Sequence, residues 1–83
     1  MPKTNRKRVK SMTSTQMYEL AKNAVIEHER VSPEDPVQPD VLWVGGILEI
    51  RRGVVWYGEK LFMVTYNMVT EETTVDTYLK TEG

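Results

Sequence analysis

Few residues of this chain have the side chains that acid–base or nucleophilic chemistry requires. His28 is the single imidazole, and there is no cysteine to serve as a nucleophile or a thiolate ligand. A catalytic histidine needs an oriented nucleophile or carboxylate beside it, and no residue spacing nominates that partner. We therefore interpret His28 as a residue near a helix C-terminus, where a positive charge is favoured by the helix dipole. The sequence predicts no catalytic residues and a protein that is not an enzyme.

The acidic residues and glycines show no pattern typical of a metal or phosphate site. Glu34, Asp35 and Asp40 lie among prolines and lack the glycine that a calcium loop uses at its sharp turn. None of the five glycines belongs to a Gly-x-x-x-x-Gly-Lys-Ser/Thr motif, and Gly58 precedes a strand pattern rather than a helix. The sequence thus predicts neither a metal nor a cofactor.

Arginine and aromatic residues that lie close together make a better candidate for recognition. Arg51 and Arg52 precede Trp56 and Tyr57 by a few positions. Such residues are enriched at the energetic centres of protein interfaces, and they also stack on unpaired bases. The competing interpretation is that Trp56 fills the core of a protein with one phenylalanine.

Charge is distributed unevenly along the chain. The first ten residues hold no acid and five basic residues, a net charge of +5, whereas the remainder has six basic and twelve acidic residues, a net charge of −6. This basic arm has three interpretations: it contacts phosphates, it serves as a nuclear address, or it clasps an acidic protein surface, including that of a neighbouring copy. Its candidate partner-binding residues are Lys3, Arg6, Lys7, Arg8 and Lys10.

Length limits what the chain can bury. A domain of 83 residues buries roughly 60–65% of its unfolded surface and is of marginal stability alone. Docking on a larger assembly, or association with its own copies, would increase the buried area. There is no apolar run of the ~20 residues that cross a bilayer, and no signal-peptide pattern. We expect an intracellular, cytoplasmic protein or a component of a viral particle, with no membrane partner.

A helix is predicted at about residues 14–30. Thr13 has the type and position of an N-cap, and Gln16 lies where its side chain can return to the cap amide. Apolar residues then recur at spacings of three and four, the pattern of one helix face. That face consists of Met17, Leu20, Ala21, Ala24, Val25 and His28.

The rest of the chain predicts a β-meander over residues 41–80, after an extended proline-rich connector at 31–40. Alternation is clearest in residues 61–69, and we expect turns at Gly53 and Gly58. The buried sheet residues are predicted to be Leu48, Ile50, Phe62, Val64, Tyr66, Val75 and Leu79, with Leu20, Ala24 and Val25 packed on them.

The predicted fold class is therefore α+β. One N-terminal amphipathic helix packs on a curled antiparallel meander of four or five strands, and the turn spacing also permits an SH3-like small barrel. Residues 13–83 form the single domain, and residues 1–12 form the basic arm, disordered unless bound.

These features favour a non-enzymatic interaction or structural protein that docks on a larger protein assembly through its basic arm. A small viral structural or host-modifying protein fits the same description. The alternative is a nucleic-acid-binding regulator that uses the arm with Arg51 and Arg52, although the acidic body would repel a duplex laid along the sheet.

Overall fold

A computed structural model describes residues 12–80 of the chain, apart from the side chains of residues 79 and 80. Residues 1–11 of the arm, which the sequence predicts at residues 1–12, and the last three residues of the chain lie outside this range. One helix precedes four antiparallel strands, which pair in the order β1-β2-β3-β4. The elements are α1 (Ser14–Glu29), β1 (Asp40–Ile47), β2 (Ile50–Tyr57), β3 (Lys60–Asn67) and β4 (Glu72–Lys80).

The start of α1 is set by local side-chain chemistry. The Gln16 backbone N–H donates to the Thr13 hydroxyl at 3.0 Å, and the Thr13 N–H donates to the Gln16 side-chain oxygen at 2.9 Å. Two backbone donors that lack helical partners are thereby satisfied by one reciprocal pair. The capping box predicted from the sequence is confirmed.

The end of α1 and the connector are held by short-range hydrogen bonds. Arg30 adopts a left-handed conformation (φ 57°), its N–H donates to Glu27, and the Val31 N–H donates to the Ile26 carbonyl at 2.9 Å. Val31 is then buried. The Gln38 amide donates to the Ser32 carbonyl at 2.9 Å, which folds the connector into turns. The connector is thus not the extended segment that its prolines predicted.

The core lies between the helix and one face of the sheet. Ala21 is fully buried over β2, and a Cβ added to Gly53 would lie 2.8 Å from the Ala21 Cβ. A glycine at this position therefore lets the helix backbone approach the strand closely. The buried cluster is Met17, Ala21, Val25, Val55, Phe62 and Val64, with Leu20, Ala24, Val44, Tyr57, Tyr66 and Val75 partly buried against it.

One of the two predicted turns is misplaced. Gly53 lies inside β2 rather than at a turn, and the chain instead reverses at Leu48 and Glu49. Leu48 has φ 57° and is 78% exposed, so its prediction as a buried residue is wrong. A leucine in this region is strained by roughly 1–2 kcal/mol. The turn is supported by the adjoining loop, because the Met68 N–H donates to the Glu49 carbonyl at 2.8 Å.

This shift of the turn also reverses the faces predicted for the start of β2, so the predicted burial of Ile50 against the helix is wrong. Val55 is fully buried against the helix, so Ile50 lies on the opposite face and Arg51 on the helix side. Phe62 and Val64 are buried as predicted, whereas Tyr66 and Val75 are partly buried. The predicted burial of Leu79 concerns a side chain outside the described part.

The sheet remains open. Each described strand pairs with its sequence neighbours, and β1 does not pair with β4, so the strands do not form the SH3-like barrel that the turn spacing permitted. Two bulges, at Leu42 in β1 and near Tyr78 in β4, interrupt the regular register of the outer strands. Among residues 12–80, no helix has the length and apolar character needed to cross a bilayer.

Because Phe62 fills the centre of the core, Phe62→Ala should reduce the free energy of unfolding by about 3–5 kcal/mol. Urea denaturation followed by circular dichroism measures this loss. Val37→Ala is the matched control, since Val37 is 55% exposed in the connector, and it should change stability by less than about 0.5 kcal/mol. Equal midpoints for the two variants would contradict the position of Phe62 in the core.

Candidate functional site

The sheet face opposite the helix carries apolar side chains. Val55, Phe62 and Val64 point toward the helix, and side chains alternate along a strand, so Val54 and Met63 point the other way. Within residues 12–80 no element packs on that side. We call it the open face, and its described apolar centre consists of Trp43, Val54, Trp56, Leu61 and Met63.

These five residues are neighbours across three strands. Val54 pairs with Met63, and Trp56 pairs with Leu61, in adjacent rows of the β2–β3 ladder. Trp43 extends the first row onto β1, where it pairs with Val54. Cross-strand partners of this kind have Cβ atoms about 5 Å apart, so their side chains form one continuous surface.

The bulge at Leu42 decides where Trp43 points. Val41 pairs with Val55, and regular pairing would then set Trp43 opposite Gly53 on the helix side. The register instead shifts after Val41, and Trp43 pairs with Val54 on the open face. One inserted residue thus brings a tryptophan, 53% exposed, to the open face.

Trp43 lies along its own strand over a glycine. A Cβ built on Gly45 would be 2.5 Å from the Trp43 Cζ2 atom and 2.9 Å from Cη2. The absence of a side chain at Gly45 therefore lets the ring lie flat and cover the strand backbone. An aromatic ring over an edge-strand glycine compensates for the packing that glycine lacks.

Charged residues surround this apolar centre. Arg52 and Asp76 lie on the open face in β2 and β4, and Asp40 and Glu72 lie at its two ends, by the pairing of Asp40 with Trp56 and of Glu72 with Asn67. The described residues of this face thus carry one guanidinium and three carboxylates. An apolar centre with a polar border is the usual anatomy of a protein–protein interface.

The structure separates the recognition residues predicted from the sequence into two groups. Arg52 and Trp56 share the open face with Val54 between them, so Trp56 is not part of the buried core cluster. Arg51 and Tyr57 lie on the helix side, where Tyr57 packs against the core. The predicted arm residues Lys3, Arg6, Lys7, Arg8 and Lys10 lie outside the described part of the chain.

Arg51 borders a small cleft between the start of α1 and the end of β1. The cleft has a volume of about 230 Å³ and is lined by Met12, Thr13, Ser14, Met17, Val44, Gly45, Gly46 and Arg51. The Arg51 guanidinium donates a long hydrogen bond of 3.5 Å to the Ile50 carbonyl. The Thr13 and Gln16 backbone donors at this helix end already have partners in the capping box.

His28 has structural contacts. Its Nδ1 atom lies 3.1 Å from a Glu29 carboxylate oxygen, and its ring meets the Phe62 ring edge-on, with centroids 5.7 Å apart. Glu29 also lies 3.6 Å from the Lys60 ammonium. Among residues 12–80, no three histidine or acidic side chains are grouped so as to hold a metal ion.

Sequence reasoning did not name Trp43, Leu61 and Met63 as candidate partner-binding residues. A signal was present: Val54, Val55, Trp56 and Tyr57 are consecutive apolar residues, which a strand with one wetted face does not need. Such a run requires cover on both sides, and the helix covers one of them.

A smaller apolar cluster adjoins the open face at the turn end of the sheet. Ile47, Leu48 and Val69 are 77%, 78% and 76% exposed. Ile47 pairs with Ile50 in the last row of the β1–β2 ladder, at the end of the open face. Arg52 and Thr65 separate the two apolar regions.

Substitution of Gly45 tests the position of the Trp43 ring. Gly45→Ala should displace this exposed ring and increase its quenching by acrylamide, with a loss of stability below about 1 kcal/mol because the clash involves a mobile ring. The measurement uses a Trp56→Phe background, so that Trp43 emits alone. The control is Gly45→Ala in a Trp43→Phe background, where quenching of Trp56 should not change. Unchanged Trp43 quenching would show that the ring does not lie on Gly45.

Comparison of this chain with protein-family models, with curated proteins and with solved structures finds no match. The open face and the charges along the chain are therefore the features that bear on its function.

Proposed function

We propose that this chain is a non-enzymatic interaction protein that docks on a larger protein assembly, with the open face as its principal contact surface. The observation that supports this proposal best is the position of its two tryptophans. Trp43 and Trp56 are the only tryptophans of the sequence, and both lie on the sheet face that no described element covers.

The energetic reason is the cost of leaving such a face in water. A fully buried aliphatic or aromatic side chain contributes roughly 1.5–3 kcal/mol relative to an exposed one. Trp43 remains 53% exposed, so a partner would gain from covering it. Tryptophan, methionine and arginine are enriched in interfaces, and Trp43, Trp56, Met63 and Arg52 supply all three types on one face.

The basic arm contributes a second, electrostatic contact in this proposal. Its net charge of +5 complements an acidic protein surface, whereas the rest of the chain has a net charge of −6. Charges of this kind accelerate association and select the orientation of the complex. A small viral structural protein or a host-modifying protein, in the cytoplasm or within a viral particle, fits this combination.

Nucleic-acid binding is the alternative proposal, and the proximity of Arg52 to Trp56 favours it. Aromatic side chains on an open sheet stack on unpaired bases, and an arginine beside them contacts phosphate. The three carboxylates Asp40, Glu72 and Asp76 on the same face oppose it, because they repel the phosphate backbone. This charge balance is why we place a protein partner first.

A photoreactive residue at the open face tests the proposed function. Met63→benzoylphenylalanine, in the full chain within cells of its native host, should form covalent adducts with protein when irradiated. Val37→benzoylphenylalanine is the matched control, since Val37 is exposed in the connector and far from the sheet centre along the chain. Adducts with nucleic acid at position 63, or no adducts there above the control, would contradict the proposal.

Deletion of residues 1–10 tests the contribution of the arm. The deletion removes five positive charges and no residue of the described core, so the melting temperature should change little. Binding to the protein identified by cross-linking should weaken and lose most of its salt dependence, since exposed charges are screened over about 8–10 Å. Binding of single-stranded DNA that falls with the deletion, and with a shallower salt slope, would instead support the nucleic-acid alternative.

A further inference from the structure

The open face is large enough for a specific contact between two copies. Four strands of about eight residues, at spacings of about 4.8 Å across and 3.3 Å along, give a face of about 500 Å². Two such faces together bury about 1,000 Å², the lower limit of specific protein interfaces. Self-association of micromolar strength is the expected consequence of an interface this size.

The basic arm is a poor occupant of the same face. Among residues 1–10, Met1 and Val9 are the only large apolar side chains, and five residues are charged. Burying those charges against Trp56, Leu61 and Met63 would carry a desolvation cost without matching partners. The open face of a second copy presents the large apolar side chains that the arm lacks.

Charge determines how two such faces can meet. A two-fold axis across the strands would place β4 on β4, and Glu72 and Asp76 would face the same carboxylates of the second copy. An axis running along β2 would place Arg52 against Arg52. Both arrangements oppose like charges across a water-poor contact, which is unfavourable.

An axis parallel to the strands and between β2 and β3 avoids both of these conflicts, and the like charges that it brings nearest are Asp40 and the second copy's Asp76, one row apart on facing strands. It places β1 over β4 of the second copy, and β2 over its β3. By the register of the rows, Val54 then lies over the second copy's Met63, and Trp56 over the second copy's Leu61. Seen along the normal to the sheets, Arg52 is offset by one strand spacing, about 5 Å, from the strand that carries the second copy's Glu72 and Asp76, and its side chain points across the gap between the sheets toward that strand.

We propose that the open face binds the open face of a second copy, forming a symmetric homodimer in which two sheets pack face to face between two outer helices. Sheets that pack in this way lie about 10 Å apart, with their side chains interdigitated. This inference rests on the proposed function, because it names the partner of the same surface. It gives the assembly a first step, in which the chain associates with itself.

Self-association can be measured on the full, unmodified chain. Sedimentation equilibrium between about 1 and 300 µM should show a monomer–dimer equilibrium with a dissociation constant of about 1–100 µM. Tryptophan emission should shift to the blue over the same concentration range, since both tryptophans lie on the open face. A chain that remains monomeric at about 300 µM, well above that range, would overturn the inference.

Charge reversal tests the orientation. Arg52→Asp and Asp76→Arg should each weaken dimerisation by about tenfold or more, since each removes an attraction and adds a repulsion. The double variant R52D/D76R restores the pairing with opposite signs and should recover most of the affinity. Glu19→Arg is the matched control, because Glu19 is exposed on α1, away from the open face, and this variant should leave the dissociation constant unchanged.

These outcomes separate the inference from the proposed function. Dimerisation that withstands both single reversals would overturn the two-fold arrangement described here. A monomeric chain whose Met63 photoprobe labels a different protein would overturn the homodimer and leave the proposed function intact. A circular dichroism spectrum of each variant establishes that it is folded, and Arg52 and Asp76 are exposed enough for the substitutions to be tolerated.

Discussion

The close approach of Ala21 to Gly53 is the contact on which the rest of the structure depends. It brings α1 directly onto β2, with no side chain on the strand between the two backbones. Met17 and Val25, one turn to either side on the same helix face, then reach the sheet, where Val55, Phe62 and Val64 close around them. The helix position thus selects which face of the sheet becomes the interior.

The same contact leaves the other face of the sheet without a layer. A fold of one helix and four strands has two layers, and the buried core cluster of the described residues lies between them. A small domain with so few buried residues has little free energy to spare. Association through the open face would bury a second apolar layer, and this burial would stabilise both the fold and the complex.

The open face combines exposed tryptophans with a neighbouring arginine, and the two together indicate an interface more strongly than either alone. An exposed tryptophan is common on protein surfaces, and so is a lone arginine. Here Trp43, Val54 and Met63 form one row, Trp56 and Leu61 form the next, and charged residues border both rows. This arrangement favours a protein partner over nucleic acid, because acidic residues outnumber Arg52 on the described part of the face.

Local chemistry along the chain was sufficient to predict the helix and an antiparallel meander of four or five strands, of which the described structure has four. Thr13 and Gln16 determine where α1 begins, since their hydrogen bonds are made within four residues. The alternation around Phe62 and Val64 identifies the buried side of β3. Gly58, with φ 64°, marks the β2–β3 turn, because glycine enters the left-handed region without strain. Each of these features depends on neighbours in sequence.

Tertiary structure alone decided the faces of β1 and β2. Both strands carry apolar residues on each side, so the sequence does not show which set of alternate side chains is buried. Three features of the folded chain decide which side chains face the helix: the bulge at Leu42, the turn at Leu48, and the contact of Gly53 with the helix. A shift of one residue exchanges the two faces of a strand. The identity of the open face was therefore settled by packing between elements.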